Sequence, residues 1–599
     1  MKRVYSLFVF IFLSMNLFAQ SNNPEVNEFR YWIYFKDKGK FKHEDNIEKG
    51  SEAYNLAVSN LTERALMRRA KVLSEENIVS YDDLPLNEEY ISKIKELGVK
   101  PHAYSRWMNA VSVKVKKDKL DGIKKLPFVS KIEGVQFLEN VKSHESNKIP
   151  DNNFIQLEGY KFNYGLSFWQ NEQIKVPQLH NLGVTGFGVM VGMCDDGFNW
   201  RNHEALSGRD VLGEYDWIFK DDSTLFQFSP NQQPGDIGDQ DGHGTATMST
   251  LGGFKDGKMI GPAFDVSFYL SKTEYGATET PVEEDYWLEA VEWMESKGVD
   301  VISSSLIYKP YDEPNNKYTY KDMDGKTTVI VRAADKCAYY GVVVCNSMGN
   351  ERQTDPPSIV SPPDGDSVIS VGAVDSTGRI TFFSSNGPTS DGRIKPDIVA
   401  MGTDVWAASS VSFTNIPNPY SYTSGTSFSC PLTAGVCALI LSAHPELTPM
   451  QVRDALRMTA DKKDNPNNVY GWGLINSYDA VLYNGMFMSN KPEIEIKDGQ
   501  SVITINVVSK ENIDASSVKI FYSTSGNTAS DFKNETMELK KKMNETNSET
   551  YSVTLPFDIT KDLAKFYFAS SDSQKAITQP FKAPEKFFFF NPDNKLVIY

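Results

Sequence analysis

Four short apolar runs in the middle of the chain constrain its fold more than any other feature, and they cover residues 189–194, 299–304, 341–345 and 368–374. They are largely continuous rather than alternating, and helical patterns such as 285–297 separate them. Strands that are apolar along their whole length occur in parallel sheets covered by helices on both faces. Residues 164–485 are therefore predicted to form an α/β domain with a doubly wound, mostly parallel sheet. The apolar segment 432–443 predicts a buried helix within it.

A chain of 599 residues is too long for one hydrophobic core, so two to four domains are expected. Residues 27–145 mix strand-like and helical patterns, which predicts a small α+β domain. The polar stretch 142–153 then has the composition of an exposed linker. In residues 488–599 the strand patterns alternate without long helices, which predicts a β-sandwich.

Residues 1–19 have the pattern of a signal peptide. Lys2 and Arg3 form a basic start, residues 4–17 are apolar, and Ala19 is a small residue suited to cleavage. The pattern predicts a secreted or cell-envelope protein that contacts the membrane only through this segment before its removal. The alternative is a retained membrane anchor, although the apolar run is short for a bilayer span.

Charge and cysteine content narrow the class of protein. The formal net charge is −16, from 62 basic and 78 acidic residues, which argues against a nucleic-acid partner. An odd number of cysteines in apolar surroundings predicts free, buried thiols, and the alternative is an enzyme whose reactive cysteine has a lowered pKa. The five are Cys194, Cys337, Cys345, Cys430 and Cys437.

Three residues with catalytic side chains stand at the ends of predicted elements. Asp195 ends the apolar run 189–194, and open α/β sheets place their active sites at the carboxyl ends of strands. His243 lies among glycines at the start of a predicted helix, and Ser427 lies at the amino end of the helix that continues through 432–443. For each residue taken alone, the alternatives are an Asp-Gly turn, a structural histidine and a serine N-cap.

Asn350 lies between His243 and Ser427 in the sequence, in a Gly-Asn turn that follows a predicted buried strand. Its side-chain amide and the backbone NH of Ser427 are donors of the kind that bind the oxyanion of acyl transfer. The alternative for Asn350 is a left-handed turn residue.

The order Asp, His, Asn, Ser resembles that of the subtilases, in which the triad order is Asp, His, Ser. The resemblance covers about residues 164–482 and includes 382–389 (FFSSNGPT), 391–393 (DGR), 395–397 (KPD) and the closing segment 471–476 (GWGLIN). It implies a subtilisin-like serine endopeptidase that hydrolyses proteins or peptides and needs no cofactor for its chemistry. Ser427 is then the nucleophile, His243 its base and Asp195 the group that orients the imidazole. Asn350 and the Ser427 amide are then the oxyanion hole.

The resemblance also implies a substrate-binding strand with Ser305, Leu306 and Ile307, to which a substrate adds as a further strand. Ile307 stands where relatives commonly carry glycine, so their side-chain preference does not transfer. Ala246 replaces a second histidine, and Asp196 replaces a small residue after the catalytic aspartate. The carboxylate of Asp196 is expected to point outward into solvent.

By the same resemblance, residues 27–145 are an inhibitor-like propeptide with a ferredoxin-like fold, which assists folding and blocks the cleft until it is cut between 142 and 164. A retained amino-terminal domain is the alternative. Calcium often stabilises such enzymes, and the loop with Asp236, Asp239 and Asp241 is acidic. An acidic surface loop without metal fits equally well, so no metal site is assigned.

Two other functions compete with proteolysis. A secreted pseudo-protease would bind peptides in an intact cleft without turnover, but the complete set of four catalytic residues argues against it. An adhesion or surface-display protein would depend on the β-rich segment 488–599. The apolar end of that segment is expected to complete a sheet.

Overall fold

The computed structural model describes residues 28–43, 47–134, 138–140, 159–227, 231–234, 236, 240–275, 282–310, 318–410, 419–561 and 564–599. The predicted signal peptide and the predicted linker 142–153 lie outside these residues. The described chain forms three units in the predicted order, an α+β unit, an α/β unit and an all-β unit.

The amino-terminal unit is an antiparallel sheet in the order β2-β3-β1-β4, with α3 and α4 on one face. This is the ferredoxin-like arrangement. Neighbouring residues of β1 point to opposite faces, so Ile33 packs under the unit's own helices while Trp32 packs against the central unit. The elements are β1 (Glu28–Phe35), α1 (Glu52–Val58), α2 (Glu63–Arg69), α3 (Glu88–Glu96), β2 (Pro101–Ser105), β3 (Ala110–Lys116), α4 (Lys117–Lys124), β4 (Val129–Gly134) and β5 (Leu138–Asn140).

The central unit contains seven parallel strands in the order β15-β14-β13-β11-β6-β10-β7. The four apolar runs are β6, β11, β13 and β14, as predicted. The strands are β6 (Met190–Asp195), β7 (Asp210–Asp216), β8 (Phe254–Lys255), β9 (Met259–Ile260), β10 (Ser267–Lys272), β11 (Val301–Ser304), β12 (Tyr308–Pro310), β13 (Val343–Ser347), β14 (Val368–Val374), β15 (Ile398–Met401), β16 (Val405–Ala408) and β17 (Tyr420–Thr423).

Helices cover both faces of this sheet. On one face Val191 and Met193 of β6 pack with α7 and α10, and on the other face Cys194 packs with α8 and α9. The helices are α5 (Phe168–Glu172), α6 (Val176–Asn181), α7 (Gly242–Gly252), α8 (Glu283–Lys297), α9 (Val329–Tyr339), α10 (Thr426–Ala443), α11 (Pro449–Thr459) and α12 (Ser477–Tyr483). Within the described residues α10 alone is long and apolar enough to cross a membrane, and 94% of it is buried inside this domain.

The carboxyl-terminal unit is a β-sandwich, as predicted. Two antiparallel sheets enclose one core, in which Ile503 and Ile505 of the first sheet meet Phe566 and Phe568 of the second. The last apolar residues form β27 and β28, which complete the second sheet. The strands are β18 (Phe487–Met488), β19 (Glu493–Lys497), β20 (Gln500–Val508), β21 (Lys519–Ser523), β22 (Lys533–Thr536), β23 (Glu538–Met543), β24 (Ser548–Leu555), β25 (Lys565–Ser571), β26 (Ala576–Gln579), β27 (Phe588–Phe590) and β28 (Leu596–Ile598).

Candidate active site

The carboxyl ends of three neighbouring strands bring the predicted site residues to one edge of the sheet. β6 ends at Asp195, β11 leads into Ser305, and β13 leads through a turn to Asn350. His243 lies in the first turn of α7 and Ser427 in the first turn of α10. Residues that lie up to 232 positions apart, from Asp195 to Ser427, therefore meet in one place.

Asp195 and His243 are joined by a hydrogen bond of 2.6 Å between Oδ1 and Nδ1. The same carboxylate accepts the Thr247 hydroxyl on Oδ2 and the backbone NH of Asp196 on Oδ1, both at 2.9 Å. With both oxygens bonded, the carboxylate is held in one orientation. An Nδ1–H group that donates to it leaves Nε2 of His243 as the ring nitrogen that accepts a proton.

Thr247 is a further residue of the candidate site, through its hydrogen bond to Asp195. It lies four residues after His243, which is one helical turn, so both side chains project from the same face of α7. That spacing is the sequence signal that could have identified it.

Gly244 permits the close approach of α7 to the end of β6. A Cβ atom added to it would lie 2.0 Å from the carbonyl oxygen of Gly197 and 3.0 Å from Cβ of Asp195. Any side chain at this position would push the start of α7 away from Asp195.

The expectation that Asp196 points outward is wrong. Its Oδ1 accepts the backbone NH of Gly244 at 2.8 Å, and its Oδ2 accepts that of His243 at 3.3 Å. The first NH groups of a helix have no partner within the helix, so they attract a nearby carboxylate. Burial, together with the neighbouring charge of Asp195, raises the pKa of Asp196 well above its ordinary value.

Ser427 is almost completely buried and is the second residue of α10. Its carbonyl oxygen accepts the Ser305 hydroxyl at 2.8 Å, which joins the start of α10 to the segment after β11. The ring of the next residue, Phe428, lies 5.9 Å from the His243 ring, measured between centroids. The nucleophile candidate and the base candidate thus belong to neighbouring turns of two packed helices.

Asn350 is oriented by Thr426, the residue before Ser427. Its Oδ1 accepts the backbone NH of Thr426 at 2.9 Å and the Thr426 hydroxyl at 3.0 Å. The NH2 end of the amide therefore points away from Thr426 and is the end that can donate. Gly349 has a φ of +102°, which turns the chain sharply after β13 and carries Asn350 to this position.

The predicted substrate segment lies beside these groups. Leu306 and Ile307 are buried, and Ile307 packs so closely on Gly349 that a Cβ atom there would lie 3.1 Å from its Cδ1. The segment continues directly into β12, which pairs antiparallel with β5 of the amino-terminal unit. The amino-terminal unit therefore reaches the predicted substrate segment with a strand.

The acidic loop does not converge on a common point in the described residues. Both oxygens of Asp236 lie 2.9 Å from Nζ of the buried Lys272, and Asp241 accepts the backbone NH of Phe226 at 3.1 Å. Asp239 lies outside the described part of the chain. Within that part, no group of three or more His, Cys, Asp or Glu side chains is arranged to hold a metal ion.

All five cysteines are buried and unpaired, as predicted. Burial raises the pKa of Cys430 to about 12 and that of Cys194 well above its ordinary value. A buried thiol with a raised pKa is a poor nucleophile, which argues against Cys194 and Cys430 as the nucleophile of the site.

Helix α8 presents a row of buried carboxylates to the amino-terminal unit. Asp285 lies 2.8 Å from Nε2 of His102, and Glu289 accepts the backbone NH of Tyr104 at 3.1 Å. Glu292 accepts the Ser105 hydroxyl. These polar contacts attach the amino-terminal unit to the central one.

Comparisons with known proteins identify relatives of this chain. A family model described as "Subtilase family" matches residues 186–473, and one described as "Peptidase S8 propeptide domain, Bacteroidota" matches residues 30–152. The chain is 30% identical to serine protease AprX of Bacillus subtilis (strain 168), over 50% of this chain and 67% of that protein. It is 30% identical to subtilisin E of the same strain, over 65% and 84%, and 31% identical to a subtilisin of Bacillus pumilus, over 53% and 98%.

Proposed function

The chain belongs to the subtilase family of serine endopeptidases, and we propose that it hydrolyses peptide bonds in proteins through Ser427, His243 and Asp195. The hydrogen bond of 2.6 Å between His243 and Asp195, beside the helix start that holds Ser427, carries this proposal. Nε2 of His243 removes the hydroxyl proton as Oγ of Ser427 attacks the substrate carbonyl. Asp195 holds the tautomer and stabilises the imidazolium. Water then hydrolyses the acyl-enzyme.

Asn350 is proposed as the side-chain donor of the oxyanion hole, with the Ser427 amide as the backbone donor. Replacing Asn350 by aspartate keeps an acceptor for Thr426 and removes the NH2 group. We expect kcat to fall by about 100- to 1,000-fold with little change in KM, the scale known for the equivalent asparagine of subtilisin. Steady-state hydrolysis of a peptide substrate measures both constants. An Asn350→Asp enzyme with the wild-type kcat would contradict the assignment.

Residues 27–145 are proposed to act as an intramolecular inhibitor that remains docked after cleavage. The support is their position: β5 lies along the substrate edge, and the rest of the unit covers α8. While this unit is docked, a substrate strand cannot pair with β12. Enzyme activity is therefore expected to follow release of the propeptide.

Release of the propeptide is expected to depend on pH through Glu289 and Glu292. Burial raises the pKa of each to about 7 in the docked state, against an ordinary value of 4.5, although Lys220 and Arg106 oppose the shift. The docked state therefore binds protons more tightly than the released state. The two carboxyls favour docking fully below pH 4.5, and this stabilisation is lost as the pH rises through 7. We expect the cleaved propeptide to dissociate about tenfold or more faster at pH 8 than at pH 5. The rate at which activity appears after processing measures this.

The double variant Glu289→Gln, Glu292→Gln is the matched control, because its amides keep the shape but do not titrate. Its dissociation rate should vary much less between pH 5 and pH 8. A wild-type rate that is constant over this range would show that these carboxyls do not govern release.

Residues 1–19 are proposed to direct export of the protein. Residues 488–599 are proposed to stabilise the protease. The sandwich is docked on the central unit through Ser489, whose hydroxyl donates to the Leu182 carbonyl at 2.7 Å, and through Lys491, which pairs with Asp265 at 2.9 Å. Deleting 488–599 is expected to lower the thermal stability of the protease. A truncated enzyme with unchanged stability and activity would instead favour a separate adhesive function.

A further inference from the structure

In the described part of the chain, strand β12 has one edge bonded to the central unit and one edge that pairs with β5. On the inner edge, Tyr308 and Ser361 exchange two backbone hydrogen bonds, of 2.8 and 3.1 Å. The outer edge pairs antiparallel with the propeptide, and Lys309 lies opposite Glu139. Once the propeptide leaves, the outer edge is available to another polypeptide.

The inner contacts fix β12 independently of the propeptide. The Tyr308 side chain is buried, and its hydroxyl donates to Oε1 of Glu274 at 2.6 Å. Behind it, the hydroxyls of Ser361 and Thr328 are 2.6 Å apart. Because β12 is already ordered, it binds an added strand without the entropic cost of ordering the enzyme segment first.

The pairing with β5 also gives the direction of a bound chain. Because the pairing is antiparallel, a partner strand runs from Pro310 at its amino-terminal end towards Ser305. The Ser305 hydroxyl is bonded to the Ser427 carbonyl, so a strand that continues in this direction reaches the nucleophile. Tyr308 uses its backbone groups on the inner edge, so those of Lys309 face outward.

We propose that β12 is the outer half of the substrate-binding edge, so that the cleft binds six substrate residues on the amino-terminal side of the scissile bond. This proposal rests on the assignment of Ser427 as nucleophile and of 305–307 as the inner half of the edge. The six substrate residues lie opposite the six enzyme residues 305–310. The fifth residue from the scissile bond lies opposite Lys309 and exchanges two backbone hydrogen bonds with it. The sixth lies opposite Pro310, which has no NH, so the ladder ends there.

The substrate class that fits such an edge is a long, extended polypeptide, such as an unfolded protein segment. Backbone pairing over this length does not depend on side chains, so it favours long chains over short peptides without imposing a sequence. A folded protein meets the requirement only in an exposed, extensible loop.

The proposal is tested on the mature wild-type enzyme with a series of peptides that are all cleaved at one bond. The peptides differ in having three, four, five or six residues before that bond. We expect kcat/KM to rise about tenfold when the fifth residue is added and to change little with the sixth. Methylation of the backbone nitrogen of the fifth residue should abolish the gain. The matched control, methylation at the sixth residue, should preserve it because that nitrogen faces away from β12. A kcat/KM that does not rise with the fifth residue overturns the proposal.

Two substitutions test the enzyme side of the pairing. Lys309→Pro removes the NH that faces the substrate, and proline is tolerated on an edge strand, whereas Lys309→Ala keeps that NH. We expect the ratio of kcat/KM for the five-residue and four-residue peptides to fall to about one in Lys309→Pro and to stay near ten in Lys309→Ala. Equal ratios in both variants overturn the proposal. If all peptides are cleaved at rates independent of their length, only the proposed function of β12 is refuted. If no peptide is cleaved, the protease assignment is refuted.

Discussion

Replacing Ser427 by alanine is expected to lower casein hydrolysis by roughly a million-fold, the scale known for loss of the nucleophile in subtilisin. Without Oγ no acyl-enzyme forms, so labelling by a serine-directed fluorophosphonate should vanish and the propeptide should stay covalently attached. Because the triad acts as a unit, adding His243→Ala to the same chain should cause little further loss. Protein hydrolysis, labelling and chain length on a gel measure the three outcomes.

Ser429→Ala is the matched control for this substitution. Ser429 lies two residues further along α10, is also buried, and donates its hydroxyl to the Thr426 carbonyl at 2.9 Å. Its loss should cost about 1 kcal/mol of stability and leave labelling intact. A wild-type enzyme that folds but neither cleaves nor labels would favour the peptide-binding pseudo-protease. A Ser427→Ala enzyme with more than about 1% of wild-type activity would contradict the triad.

Replacing Arg69 by alanine is expected to weaken docking of the propeptide by about 3–5 kcal/mol, the cost of breaking a buried ion pair on one side. Arg69 is fully buried and lies in α2. It donates two parallel hydrogen bonds of 2.8 Å to Asp83 of the propeptide, and two more of 2.8 Å to Glu295 of the central unit. Its guanidinium lies 3.8 Å from the centre of the Tyr340 ring. Removing it leaves Asp83 without its bidentate partner and weakens the pairing of Glu295.

The expected consequence is that the cleaved propeptide dissociates roughly 100-fold or more faster, so that activity appears sooner after processing. Lys49→Ala is the control, because Lys49 and Glu75 form an exposed pair at 3.2 Å in the same unit, and such pairs contribute at most about 1 kcal/mol. If Arg69→Ala yields no folded chain, Arg69→Lys tests the same contact. Lysine keeps the charge but cannot bond both carboxylates in a fork. A dissociation rate equal to that of the wild type in either folded variant would contradict the proposed function of this contact.

The buried strands of the central unit, its main helices and the candidate site residues could be predicted from local sequence patterns. The run 189–194 is apolar on both faces, so it predicted a central strand whether or not its neighbours were known. The placement of Asp195 at its end and of Ser427 at a helix start followed from adjacency in the chain. The order of Asp195, His243, Asn350 and Ser427 resembles that of the subtilases, and this resemblance predicted the chemistry.

Polar contacts between distant segments could not be predicted in this way. Asp196 was expected in solvent, but its partners are NH groups 47 and 48 residues later, brought within reach by the close approach at Gly244. Helix periodicity likewise does not distinguish a solvated acidic face from one covered by another domain. Six carboxylates of α8 are buried, and the propeptide supplies partners for several of them.

The sequence by itself determined the three units, the parallel central sheet and the family, because these depend on hydrophobic periodicity and on residues close together in the chain. Only the tertiary structure decided the inward position of Asp196, the pairing of Arg69 with Glu295 and the pairing of β5 with β12. In each case the partners lie far apart in sequence. Hydrogen bonds and ion pairs depend on distance and direction, so they are settled only after the hydrophobic elements have packed.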